Sequence, residues 1–191
     1  MKYVVTICTM MMLLFGQGQQ KDAAAFDGTF AQFKSSLAGK DYFAAYEKLH
    51  SALEMFWQKT PLLLRNARFV KDDDNSYGIY EPKSDNSFAP GERLYLYLEP
   101  IGYAFKKNSA GYYEFGFSAD FTLEDEGGKV LGGQENFAKL DFSSWNHNTE
   151  ISLTFTYTFT GFEKGKYKVV TRVTDANSKK SATVDNWFNI R

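Results

Sequence analysis

From Ile151 to Thr160 the chain alternates without a break: Ile151, Leu153, Phe155, Tyr157 and Phe159 are apolar or aromatic, while Ser152, Thr154, Thr156, Thr158 and Thr160 are small and hydroxylated. A period of two puts each set on its own face of a pleated strand, so the segment fits a half-buried strand and not an amphipathic helix. The pattern recurs. Tyr113, Phe115, Phe117, Ala119, Phe121 and Leu123 alternate with Glu114, Gly116, Ser118, Asp120 and Thr122. Behind Pro90-Gly91, Leu94, Leu96 and Leu98 alternate with Tyr95, Tyr97 and Glu99. Leu62 to Val70 reads as a first strand, Asp72-Asp73-Asp74-Asn75 as a turn, and Tyr77 to Tyr80 as a short edge piece. Glu126-Gly127-Gly128-Lys129 is a hairpin turn into Val130 to Leu140.

After Gly161, the run Gly165-Lys166-Tyr167 opens a further strand that ends at Asp175, where Asp175-Ala176-Asn177-Ser178 turns into a last strand carrying Ala182, Val184, Phe188 and Ile190. A tyrosine just inside a late strand fits the tyrosine corner, in which a buried phenol returns its hydroxyl to nearby backbone. Gly165, Tyr167 and Asp175 are therefore expected to be structural. About seven principal strands with this corner predict an immunoglobulin-like β-sandwich over residues 62–191. Eighteen Phe and twelve Tyr supply a core of large rings, with tyrosines left over for surfaces.

The first sixty residues follow a different period. Phe26, Phe30, Phe33 and Leu37 fall on one helical face; Gly39 ends that helix and Asp41 can cap a second, carrying Tyr42, Tyr46, Leu49, Leu53 and Phe56. Thr60-Pro61 closes the pair, so residues 19–61 are expected to form a helical hairpin whose aromatic stripes face each other, the pair packing on the sandwich. Gly39-Lys40-Asp41-Tyr42 with Ala44-Ala45 looks like a tetratricopeptide first helix, but no second copy follows, and such repeats need stacked neighbours. Residues 1–18 resemble a secretory signal peptide, with Lys2, the apolar run Val4 to Phe15, and Gly16-Gln17-Gly18 as the cleavage region. The run is short for a bilayer span, and no later stretch reaches its length. Cleavage after Gly18 removes Cys8, the one cysteine, and with it any disulfide, thiolate metal site or cysteine nucleophile. An exported protein, periplasmic or extracellular, is the expected product.

As a set, Tyr77-Gly78-x-Tyr80-x-Pro82, then Phe88-x-Pro90-Gly91-Glu92-x-Leu94-x-Leu96-Tyr97-x-Glu99, a long hairpin and the Gly165-x-Tyr167 strand resemble exported immunoglobulin- or fibronectin-like sandwich domains of bacteria, planctomycetes among them. The resemblance covers residues 62–191 and implies a fold and an exported location. It brings no catalytic residues.

The candidate chemistry is sparse. A formal charge of −1 offers no basic field for nucleic acid. His50 and His147 are the two histidines, and no Gly-x-Ser-x-Gly, His-Glu-x-x-His or phosphate-cradling glycine loop is present. No catalytic residue, cofactor or metal ligand is assigned. Asp72-Asp73-Asp74-Asn75 and Glu124-Asp125-Glu126 carry hard oxygens suited to calcium, without the spacing of an EF-hand loop. Trp145 and His147 share a loop with Asn146 and Asn148, and loops are where sandwiches concentrate binding residues. Tyr95, Tyr97 and Tyr112 are expected on the outward faces of neighbouring strands of one sheet, flanked by Glu99, Glu114 and Asp120, unless the hairpin covers them. The first expectation is a non-catalytic exported module engaging an envelope or secreted protein. The alternatives are polysaccharide binding on those outward tyrosines and a hydrolase built from paired carboxylates.

Overall fold

The computed structural model describes residues 22–191. The signal-peptide segment, with Cys8, lies outside the described residues. Helix α1 covers residues 22–38 and α2 covers Tyr42–Lys59. Asp41 caps α2, its Oδ1 accepting the Ala44 N–H at 3.1 Å. The left-handed residue of the turn is Lys40 (φ 61°) and not Gly39. The hairpin differs from its expected form in its seam. The buried positions of α2 are Ala45, Ala52 and Trp57, while Tyr46, Leu49, Leu53 and Phe56 are exposed. With Phe26 and Phe30 of α1, these larger side chains line an open apolar groove of about 400 Å³ instead of closing on each other. Among the described residues no helix is long and apolar enough to cross a membrane. The boundary between two compact units falls between Trp57 and Gln58.

The second unit is mainly β. Its nine strands are β1 (Leu63–Val70), β2 (Ser87–Phe88), β3 (Arg93–Ile101), β4 (Lys106–Lys107), β5 (Tyr113–Asp125), β6 (Val130–Ser144), β7 (Leu153–Thr158), β8 (Gly165–Asp175) and β9 (Ser181–Ile190). Seven are long, matching the alternating segments; β2 and β4, two residues each, have too little sequence to carry a period. The 77–80 segment is a turn closed by the Ser76–Ile79 bridge and not an edge strand. One sheet has the order β1-β3-β7. The other runs β2-β9-β8-β5, with β6 along the far edge of β5 and β4 beside its first residues. All pairings are antiparallel except β2 with β9. The β5–β6 hairpin turns where expected, Gly128 taking φ 82° and its N–H reaching the Asp125 carbonyl at 3.0 Å.

The inner faces meet through rings. Phe159 stacks on Phe188 across the sheets with centroids 5.7 Å apart, and Phe121 meets Tyr157 edge-on at 5.2 Å. Phe137 is carried inward by the β6 irregularity around Asn136 (φ 49°) and lies against Phe155 and Tyr157 of β7. The one polar bond joining these rings to the opposite sheet is Tyr157 with Thr171, 2.8 Å apart and buried, so neither hydroxyl is stranded in the core. This arrangement is sandwich-like. At the expected corner, Tyr167 donates to the Glu163 carbonyl at 2.9 Å with its ring beside Gly165, but the phenol is half-buried where a buried one was expected.

Asp175 is wholly buried and organises the β8–β9 turn. Its carboxylate accepts the N–H groups of Ala104 (2.9 Å), Asn177 (3.1 Å) and Ser178 (3.3 Å), and the Ser178 hydroxyl. In the same turn Lys180 donates its ammonium to the carbonyls of Gln58, Thr60 and Gly102. Asp175→Ala strands several of these donors at once, so urea unfolding should show a loss of about 2–4 kcal/mol. Burial pushes the phenols of Tyr97, Tyr103 and Tyr157 above the ordinary value of about 10. Phenols raised in this way leave stability intact below pH ~10 and withdraw it as pH rises further, because the unfolded chain ionises first. An ultraviolet phenolate titration should therefore leave these three protonated until alkaline unfolding releases them together.

Candidate functional site

The tyrosines expected on one outward face are divided between sheets. Tyr95 and Tyr97 stand on β3, Tyr112 immediately before β5 in the other sheet. Tyr95 is half-buried between Val70 and Thr156 of the flanking strands. Tyr97 is fully buried and is not a surface group. The chain after β1 folds back over it: the Tyr80 ring lies 4.2 Å away, the Gly78 N–H donates to its hydroxyl at 2.9 Å, and Arg68 sits over Tyr80. Glu99 is buried beside it, accepting from Tyr97 at 2.9 Å and from Asn66 Nδ2 at 2.8 Å, with Arg65 at 3.4 Å. Asn66 reaches it from a left-handed bulge (φ 54°) in β1. A carboxylate so fully engaged fixes the bulge and the overlying segment, so this face of β3 is interior.

Tyr112, Trp145 and His147, by contrast, converge at the open end of the β5–β6 hairpin. The Trp145 ring lies 3.9 Å from Tyr112 and is 66% exposed. His147 packs between Tyr113 (4.1 Å) and Phe105 (4.8 Å), with Lys107 over Tyr113. Alternation along β5 explains the two groups. Tyr113, Phe115 and Phe117 turn inward, so His147 joins the core end, while Tyr112, Glu114 and Gly116 share the outer face.

That outer face continues into a hollow. Register pairs Glu114 with Ser143 and Gly116 with Asp141, and these four line an open recess of about 430 Å³ with Asn177 at its border. Gly116 permits the close approach of β6 at this point: a Cβ there would lie 2.7 Å from the Leu140 carbonyl and 2.8 Å from Asp141 Oδ1. The lining groups are held in place. Asn108 Nδ2 donates to Glu114 at 2.7 Å, Lys139 pairs with Asp141 at 3.1 Å, and Asn177 Nδ2 donates to the carbonyls of Ala104 and Glu114, both at 2.9 Å. Gly116, Asp141, Ser143 and Asn177 did not stand out in the sequence. A glycine inside an otherwise regular strand was the available signal, since it marks a close approach.

The remaining candidates are engaged elsewhere. Asp72 closes its own turn by accepting the Asp74 N–H, and Glu124 pairs with Lys168 at 2.8 Å. Asp125 accepts the Lys129 N–H at 2.9 Å. Among the described residues no group of three or more potential ligands is assembled for a metal ion. His50 lies 3.5 Å from Glu54, its neighbour one helical turn on.

No protein family matches the chain, and no curated protein does. Among solved structures the chain is similar to the alkylpurine DNA glycosylase AlkC of Pseudomonas fluorescens bound to DNA containing an abasic-site analogue, with TM-score 0.37, 11% identity, and coverage of 78% of this chain and 36% of that one. It is also similar to Spo0M, a sporulation control protein from Bacillus subtilis, with TM-score 0.33, 9% identity, and coverage of 69% and 50%. The chain thus spans half or less of these two proteins, and superposition this loose carries no weight for its function. Trp145 rests mainly on one ring, so Trp145→Ala should cost less than about 1 kcal/mol in thermal or urea unfolding, whereas Tyr97→Ala, emptying a packed interior site, should cost about 3–5 kcal/mol.

Proposed function

We propose that this chain is a non-catalytic, exported binding module on an immunoglobulin-like sandwich, and that it binds through the outer β5–β6 surface around Tyr112 and Trp145. The carrying observation is the exposed Trp145 ring packed at a tilt of 33° against Tyr112, centroids 3.9 Å apart. A large ring kept in water costs free energy that association recovers, and a ring already fixed by its neighbour loses little entropy on binding. The immunoglobulin-like reading is supported by seven long strands in two layers and by the Tyr167 hydroxyl returning to the Glu163 carbonyl. Export is supported by the character of residues 1–18. A scaffold role for the buried acids is supported by Glu99 and Asp175, whose oxygens hold backbone and neighbouring side chains.

Envelope proteins and polysaccharides both fit an exported module, and either would cover this end of the hairpin. In co-sedimentation with bacterial envelope fractions, the double variant Tyr112→Ala with Trp145→Ala should lose about tenfold or more of the wild-type retention. Its melting temperature should fall by only a few degrees, as for an exposed site. Retention equal to wild type in a folded double variant would overturn the assignment of this surface.

A further inference from the structure

Tyr42, Tyr46, Leu49, Leu53 and Phe56 recur along α2 at alternating steps of four and three, and Phe26, Phe30, Phe33 and Leu37 do the same along α1. A mean period of about 3.5 residues is that of a supercoiling seam, whose side chains fill holes on facing helices. Here they stay open. Tyr42 is 66% exposed, Tyr46 60% and Phe56 55%. The two helices lie alongside one another, the Thr29 hydroxyl 3.6 Å from the Met55 sulfur, and Phe26 and Phe30 line the same groove as Tyr46, Leu49, Leu53 and Phe56. Both seams therefore open to one side. We infer that a second copy of this hairpin covers them, the two copies forming an antiparallel four-helix bundle.

Area calls for a partner, and charge selects which one. With a fully exposed ring presenting about 200 Å², the seam side chains leave on the order of 700 Å² per copy in water. That exceeds the roughly 300–600 Å² patch usual on a monomer and approaches the roughly 800 Å² that each partner gives to a standard interface. A hairpin with two open seams lacks two helices, and an identical hairpin brings two of the same period. Asp27 directly follows Phe26 and Lys34 directly follows Phe33, so the two stand one heptad apart on the same flank of the α1 seam. Lys34 lies over the Phe30 ring, 5.4 Å from its centroid, at the edge of the groove. Against a second α1 running antiparallel, each Asp27 meets the partner's Lys34, and the twofold axis repeats the pair. Parallel packing would set like charges together. The flank is thus complementary to itself.

Sedimentation equilibrium of the exported protein at micromolar concentration tests this. The wild-type protein should sediment at twice the chain mass. Leu49→Glu combined with Leu53→Glu, which charges the middle of the α2 seam, should raise the dimer dissociation constant about a hundredfold or more. Asp27→Lys alone should weaken the dimer several-fold by setting lysines opposite one another, and adding Lys34→Asp to it should restore wild-type association. Both positions are exposed, so far-ultraviolet circular dichroism should show unchanged helix content in these charge variants. A wild-type monomer, whether free or pelleting with phosphatidylglycerol vesicles, would overturn the inference. So would a dimer that survives the two glutamates, or a charge reversal that the second substitution does not rescue. Pairing does not depend on what the Trp145 surface binds, so this result and the envelope co-sedimentation can fail separately.

Discussion

The double ladder on β5 is the constraint on which the rest of this protein depends. β5 is hydrogen-bonded to β6 on one edge and to β8 and β4 on the other, so its register is fixed from both sides. A slip of one residue would turn Phe115, Phe117 and Leu123 to solvent and bury Glu114, Asp120 and Thr122, which the ring-filled core forbids. The same register decides the outer face. Tyr112, Glu114 and Gly116 line up because Tyr113, Phe115 and Phe117 must face inward.

Without a disulfide, the two sheets are joined by rings and a few buried polar bonds. Phe159 on Phe188, Phe121 on Tyr157 and the Tyr157–Thr171 bond cross between layers. At one end Asp175 and Lys180 gather the carbonyls and N–H groups of the 58–60, 102–104 and 175–180 segments, where the backbone leaves its ladders and needs other partners. The rigid end so made also holds Asn177 at the border of the candidate site. The turn that closes β8 onto β9 thus also fixes one edge of the candidate surface beside Trp145.

Two kinds of residue sit at that surface, and their legibility differed. Trp145 and His147 stood out because an indole and an imidazole among asparagines are conspicuous on a loop, and Tyr112 because of its place beside a strand. Their grouping was not legible. Tyr112 belongs with Trp145 and not with Tyr95 and Tyr97, since strand order joins residues far apart in sequence. Asp141 and Ser143 looked like ordinary polar positions of a strand, and they acquire meaning when register sets them opposite Gly116 and Glu114.

The sequence by itself determined the periods: seven long strands, the hairpin turn at Gly127-Gly128, the return of Tyr167 to nearby backbone, and a helical pair capped at Asp41. These are local properties, written in alternation, turn residues and caps within a few positions of one another. Tertiary structure decided which faces are interior. Alternation marks Tyr97 and Glu99 as the second face of β3, yet the segment through Gly78 and Tyr80 folds over that face and buries both. It also decided which positions of α2 are buried, Ala45, Ala52 and Trp57, while Tyr46, Leu49, Leu53 and Phe56 line a groove. Burial depends on what returns to cover a surface, and a covering segment is chosen by the free energy of the whole fold, which no local period encodes.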